Sequence, residues 1–174
     1  MGRFADEQVR PVQTPEVGKG RILSHLQQLV GFALDGHNYA VSLAAVERIV
    51  HVVEVAPLPQ APEIVLGVIN FSGRIIPVVD IRRRFRLPAK EVGLYDHLII
   101  ARTSKRELAF IADGVAGVIE CPEAEITAAE KIVPGLEFLA GVLKLKDGLI
   151  FIHDLERFLS LDEERSLDEA MQGW

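Results

Sequence analysis

The feature that most constrains the fold of this chain is a pattern that occurs twice. Tyr39-Ala40-Val41-Ser42-Leu43-Ala44-Ala45-Val46-Glu47-Arg48-Ile49-Val50 lines up with Leu108-Ala109-Phe110-Ile111-Ala112-Asp113-Gly114-Val115-Ala116-Gly117-Val118-Ile119, at an offset of 108 − 39 = 69. Gly67-Val68-Ile69-x-Phe71-x-x-x-Ile75-Ile76-x-Val78-x-Asp80-Ile81-x-Arg83 lines up with Gly141-Val142-Leu143-x-Leu145-x-x-x-Leu149-Ile150-x-Ile152-x-Asp154-Leu155-x-Arg157, at an offset of 141 − 67 = 74. The drift of 74 − 69 = 5 residues fits one loop insertion. Each copy reads as about five short strands, enough to close a small barrel and remove its open edges. The period is too long and the copies too few for a solenoid. Two similar β-lobes in one chain are expected.

The strands follow from apolar runs bounded by turn residues. Residues 28–34 and 39–43 flank Asp35-Gly36-His37-Asn38, a hairpin signal. Residues 44–48 read as a short helical turn and 49–55 as a strand, before Pro57-Leu58-Pro59 breaks regular pairing. Residues 66–71 and 74–79 form a hairpin around Ser72-Gly73, and a short helix starts at Asp80. Residues 97–102 and 107–112 flank the polar turn 103–106, and 114–120 continues as a strand. Residues 139–145 and 148–153 flank Lys146-Asp147, and a short helix starts at Asp154. Residues 161–171 carry apolar spacing at Leu161, Leu167 and Met171 and read as a terminal helix. Residues 1–24 hold two prolines and little periodicity and read as a flexible tail. The lobes are expected at about 36–96 and 97–153, with the terminal strands and helix crossing over, and 162–174 as a C-terminal helix and loose end.

Composition removes several function classes. The chain has 174 residues, 49% hydrophobic but only 6% aromatic, and a formal net charge of −6. A chain this long buries enough surface to fold without a metal or disulfide staple. The acidic balance argues against nucleic acid, whose phosphates need a basic surface. The single cysteine, Cys121, suits a reducing cytoplasm. No apolar run reaches about 18 residues, so no direct membrane insertion is expected.

No reactive cluster emerges. No two of the five histidines (His25, His37, His51, His97, His153) have a metal-ligand spacing, and no cysteine pair assists them. Asp80 and Asp154 precede short helical runs at the same place in both copies, which favours N-capping over acid–base catalysis. Arg82, Arg83, Arg84 and Arg86 form a basic cluster, either a solvated helix face or a contact for an acidic partner. Cys121 has no neighbour in sequence that lowers its pKa. Phosphate-loop and nucleophile-elbow patterns are missing from the sequence. The expectation is a non-enzyme with no catalytic, cofactor-binding or metal-binding residues. Such a body offers strand edges and an inter-lobe groove to partners. The alternative is a small-ligand-binding or sensing β-module that uses the inter-lobe cleft.

Four stretches, in order, resemble the CheW-like family of chemotaxis coupling proteins: residues 32–41, residues 67–73 with 76–80, residues 108–115 and residues 139–142. The resemblance covers about Leu26 to Leu161, so 25–161 is expected to be one CheW-like domain. It implies a mainly β fold of two intertwined five-stranded Src-homology-three-like barrels, with short helices and a C-terminal helix. It implies a cytoplasmic, non-catalytic adaptor without cofactor. Such an adaptor couples the cytoplasmic tip of a chemoreceptor to the regulatory domain of a CheA-type histidine kinase, and reaches the inner face of the membrane through receptor arrays. Family positions for the receptor groove fall on Val46, Ile49, Gly67 and Leu98, with Val46 and Ile49 on one face of the expected helical turn.

Two departures stand out. The family usually has Val-x-Glu-Ile where this chain has Val46-Glu47-Arg48-Ile49, and Asn-Leu-Arg-Gly where it has Asn70-Phe71-Ser72-Gly73. The glutamate and arginine that tend to pair in the family are here Arg48 and Ser72, so that ion pair cannot form. Losing both partners of a buried pair can be nearly neutral, whereas losing one costs about 3–5 kcal/mol. The double change points to partners other than the standard ones, such as those of a chemosensory system outside flagellar control.

Overall fold

The computed structural model describes residues 25–173 except Val133 and Leu136; the expected N-terminal tail, residues 1–24, and Trp174 lie outside the described residues. Eleven strands and two α-helices are described: β1 Leu26–Leu34, β2 His37–Ser42, β3 Val46–His51, β4 Val65–Phe71, β5 Arg74–Val79, α1 Ile81–Arg84, β6 His97–Arg102, β7 Glu107–Ala112, β8 Gly114–Pro122, β9 Ile126–Ala128, β10 Leu139–Leu145, β11 Gly148–His153 and α2 Leu161–Gln172. They form a six-stranded sheet in the order β8-β1-β2-β11-β10-β9 and a five-stranded sheet in the order β3-β6-β7-β5-β4.

The repeat is visible in the register. The hairpin β4–β5 slips between Val65 and Gly67, and its counterpart β10–β11 slips between Leu139 and Gly141. The Asp80 amide donates to the Ile64 carbonyl at 2.7 Å, and the Asp154 amide donates to the Phe138 carbonyl at 2.8 Å. Copies exchange strands. β5 runs parallel to β7 with Val79 opposite Phe110, and β11 runs parallel to β2 with His153 opposite Val41. By the two offsets these are the same pair made in the two reciprocal senses. The described residues accordingly divide into one unit of those up to Ala44 and from Gly114 to Asp154, and another of those from Ala45 to Asp113 and from Leu155 onward. Each chain-order lobe, 36–96 and 97–153, is therefore split between the two units, because every sheet takes two strands from one copy and the rest from the other.

In the first unit, Leu29, Ala40, Cys121, Leu143, Ile150 and Ile152 pack together. In the second, Ile69, Ile76, Val78, Leu98, Ile100 and Ala109 do so, with Val50, Val55, Phe71 and Ile111 against them. Cluster members on one strand stand two apart, as Ile76 and Val78, Leu98 and Ile100, and Ile150 and Ile152 do, because successive side chains of a pleated strand face opposite sides. Hairpin turns follow their residues. Ser72 and Gly73 have φ of 51° and 81°, the pair of positive values that a two-residue turn needs to match strand twist. The Asn70 side chain braces this turn by accepting from the Gly73 amide at 3.1 Å.

Helix ends also follow the sequence. The Asp80 carboxylate accepts from the Arg83 amide at 3.2 Å and caps α1. Ser160 and Glu163 form a reciprocal capping box on α2. Arg106 anchors this helix within the second unit, bonding Glu164 at 2.7 Å and reaching Asp168.

Candidate functional site

The four groove candidates lie in the five-stranded sheet of the second unit, and they do different things. The expected helical turn over 44–48 is shorter and earlier, at Leu43–Ala45, and Val46 already belongs to strand β3. Val46 stands opposite Ala101, whereas Arg48 stands opposite Ile100 and Ile49 opposite Ile99. This bulge inserts one extra residue. Residues three apart would face opposite sides of a regular strand, but the bulge returns Val46 and Ile49 to one face. The shared face arises from a bulged strand rather than a helix. Ile49 remains 38% exposed and Val46 is half-buried. β3 is the terminal strand of its sheet, so this pair sits at an edge.

Leu98 is fully buried on the neighbouring strand β6, opposite Val50 and in the core on the sheet face away from Val46 and Ile49. Gly67 is held by backbone. Ala56 makes an isolated bridge to Val68, with both hydrogen bonds at 2.8 Å. A Cβ on Gly67 would stand 2.2 Å from the Ala56 carbonyl oxygen. Gly67 and Leu98 are therefore buried within the fold, whereas Val46 and Ile49 keep solvent exposure.

Arg48 is exposed on the other face of β3 from Val46 and Ile49, and Ser72 sits at an exposed turn. Neighbouring residues build an ion-pair network at this end of the sheet instead. Arg74 bonds Glu47 at 2.8 Å and also Glu107, and Glu107 accepts from Arg102 at 2.5 Å. The hydrogen bond from Arg74 holds the Glu47 carboxyl below the usual carboxylate range against the opposing effect of burial. Sequence reading missed this network. Its one local signal is Arg102 opposite Glu107 across the β6–β7 hairpin.

Three of the four clustered arginines pair internally. Arg82 pairs with Asp113, Arg83 with Glu63 and Arg84 with Glu163. Lys90 bridges Asp96 at 3.0 Å and Asp113 at 3.1 Å. Burial pulls the Lys90 amine down, but its bonds to the two aspartates outweigh this and hold it above the ordinary lysine range. A cavity of about 160 Å³ lies beside these groups, lined by Leu66, Asp80, Arg82, Lys90 and Asp96 among others. It is smaller than the ~300–1,000 Å³ of typical ligand sites. Cys121 is buried, and desolvation followed by the charge of Glu125 pushes its thiol up, the opposite of nucleophile activation.

Residues 28–163 match the family model of the CheW-like domain. The chain belongs to the CheW-like family. Its relatives include the chemotaxis protein CheW of Bacillus subtilis, 31% identical over 80% of this chain and 91% of the relative, and that of Rhizobium meliloti, 27% identical over 80% and 92%. The scaffolding protein TtCheW from Thermoanaerobacter tengcongensis superposes with a TM-score of 0.72 at 26% identity, covering 80% of this chain and 96% of that one. The family is one of chemotaxis scaffolding proteins, and this CheW-like domain has its mainly β, two-lobed fold. In the described part of the CheW-like chain, no helix is long and apolar enough to cross a membrane.

Proposed function

We propose that this chain is a non-catalytic chemosensory adaptor. It couples the cytoplasmic tip of a chemoreceptor to the regulatory domain of a CheA-type histidine kinase, in the cytoplasm at membrane-bound arrays. The observation that carries the reading is the aliphatic pair Val46 and Ile49, brought to one face of an edge strand by the β3 bulge. Two half-exposed aliphatic side chains on a rigid sheet suit the apolar stripe of a partner helix. Full burial of such side chains is worth about 1.5–3 kcal/mol each, so completing it here contributes about 1 kcal/mol per residue. Arg48 and Ser72, which stand where the family pair would be, are proposed to select the partner rather than to hold the fold. Scaffolding needs no bond-making group, which agrees with Asp80 capping a helix, with Arg82, Arg83 and Arg84 paired internally and with the raised thiol pKa of Cys121.

The test is co-sedimentation of the purified protein with receptor-bearing membranes and kinase from the same cell. Val46→Glu puts a carboxylate into the apolar contact beside Glu47. The loss of contact and the cost of burying that charge are expected to weaken binding roughly 30-fold, about 2 kcal/mol. Ile49→Glu, at the more exposed position, is expected to do the same with an unchanged melting temperature. Wild-type binding by both folded variants would remove this face from the interface.

A further inference from the structure

We propose that His51 and His97 form a two-histidine chelate for a borderline divalent transition-metal ion such as Zn²⁺, clamping edge strand β3 to β6. The two residues are far apart in sequence, which is why no ligand spacing is visible there. The sheet makes them direct cross-strand partners. Side chains opposite each other on antiparallel strands share a face. Their ring centres are 5.3 Å apart with planes 31° from parallel. A zinc ion about 2.0–2.1 Å from each nitrogen lies roughly 3 Å from each ring centre, so two rings chelating near the tetrahedral angle have centres roughly 5 Å apart. The observed spacing of the ring centres matches that value.

Two further observations point the same way. The His97 Nδ1 is buried and has no hydrogen-bond partner. Such an orphan nitrogen costs free energy that a metal bond would recover. His51 is exposed and gives the ion a way in. The strand ends beside the pair are fixed. The Val52 amide donates to the Asp96 carbonyl at 3.2 Å, and the Asp96 carboxylate accepts from Lys90 at 3.0 Å and from the Gly93 amide at 2.7 Å. Asp96 is thereby occupied elsewhere, and no group of three or more metal-ligating side chains exists among the described residues. Water completes the coordination, and among divalent ions the preference follows ligand chemistry, with Cu²⁺ above Zn²⁺.

The experiment is calorimetric titration of the chelator-treated full chain with ZnCl₂, paired with thermal melts. Expected are one ion per chain and a melting temperature that climbs with free zinc as binding to the native state requires. His51→Ala is expected to weaken binding more than tenfold, since losing an inner ligand costs no less than the 10–100-fold attached to outer-shell partners. The double variant His25→Ala/His37→Ala is expected to titrate as the wild type does. An unchanged titration in His51→Ala, one ion shared by two chains, or no saturable heat at all would each overturn the site.

Discussion

Gly67→Ala is expected to lower folding stability by about 3–5 kcal/mol, measured as a shift in chemical denaturation. The methyl group would sit 2.2 Å from the Ala56 carbonyl oxygen and 2.9 Å from its carbon, so backbone rather than a side chain must move. Moving it breaks the Ala56–Val68 bridge, whose two hydrogen bonds are each worth about 0.5–1.5 kcal/mol net. The φ of 155° adds strain of order 1–3 kcal/mol for a side-chain-bearing residue. Gly73→Ala is the control. It too has a positive φ, 81°, but an added Cβ meets nothing within 4 Å, so only about 1–2 kcal/mol of conformational cost applies. Equal losses in the two variants would contradict the close-approach explanation. A binding defect in Gly67→Ala would report on the fold, which is why the interface tests use Val46 and Ile49.

The second large effect concerns pH. His153 is buried between Tyr39, with ring centres 5.4 Å apart, and Phe138, stacked at 5.8 Å. Desolvation lowers its pKa to about 3, and a backbone hydrogen bond with Phe138 offsets this only in part. The unfolded chain takes up a proton near pH 6.5 while the native state does not, so stability falls as pH drops from there toward 3. Between pH 7 and pH 5 the loss from this one group is about 2 kcal/mol. The repeat names the variant that removes it, because His153 occupies the position of Val79 in the other copy, opposite Val41 as Val79 is opposite Phe110. His153→Val is expected to flatten the stability–pH curve over that window. A variant curve as steep as the wild type would assign the acid sensitivity elsewhere.

The repeat carried much of the fold because it is local information written twice. Turn chemistry at Asp35-Gly36, Ser72-Gly73 and Lys146-Asp147, and the cap at Asp80, act over a few residues and were legible. Crossing-over was expected through the family resemblance, but the pairing of β5 with β7 and of β11 with β2 was not legible, since apolar runs do not say which copy's strand they pair with. The segment from Val46 to Ile49 shows the same limit. Apolar residues three apart read as a helical face, and only the pairing with β6 makes them a bulged strand. The ion pairs of Arg74, Arg82 and Arg84 and the meeting of His51 with His97 are likewise products of long-range register. Gly67 was legible as part of a motif but not in its role, because Ala56 approaches it through an isolated bridge just beyond the expected strand over 49–55.

The adaptor reading rests most directly on bridging. The measurement is the fraction of kinase that pellets with receptor-bearing membranes, with and without this protein at saturating concentration. The expected result is that kinase recovery rises when the protein is added and falls back when Ile49→Glu replaces it. Kinase recovery that is the same with and without the protein would contradict the proposed coupling.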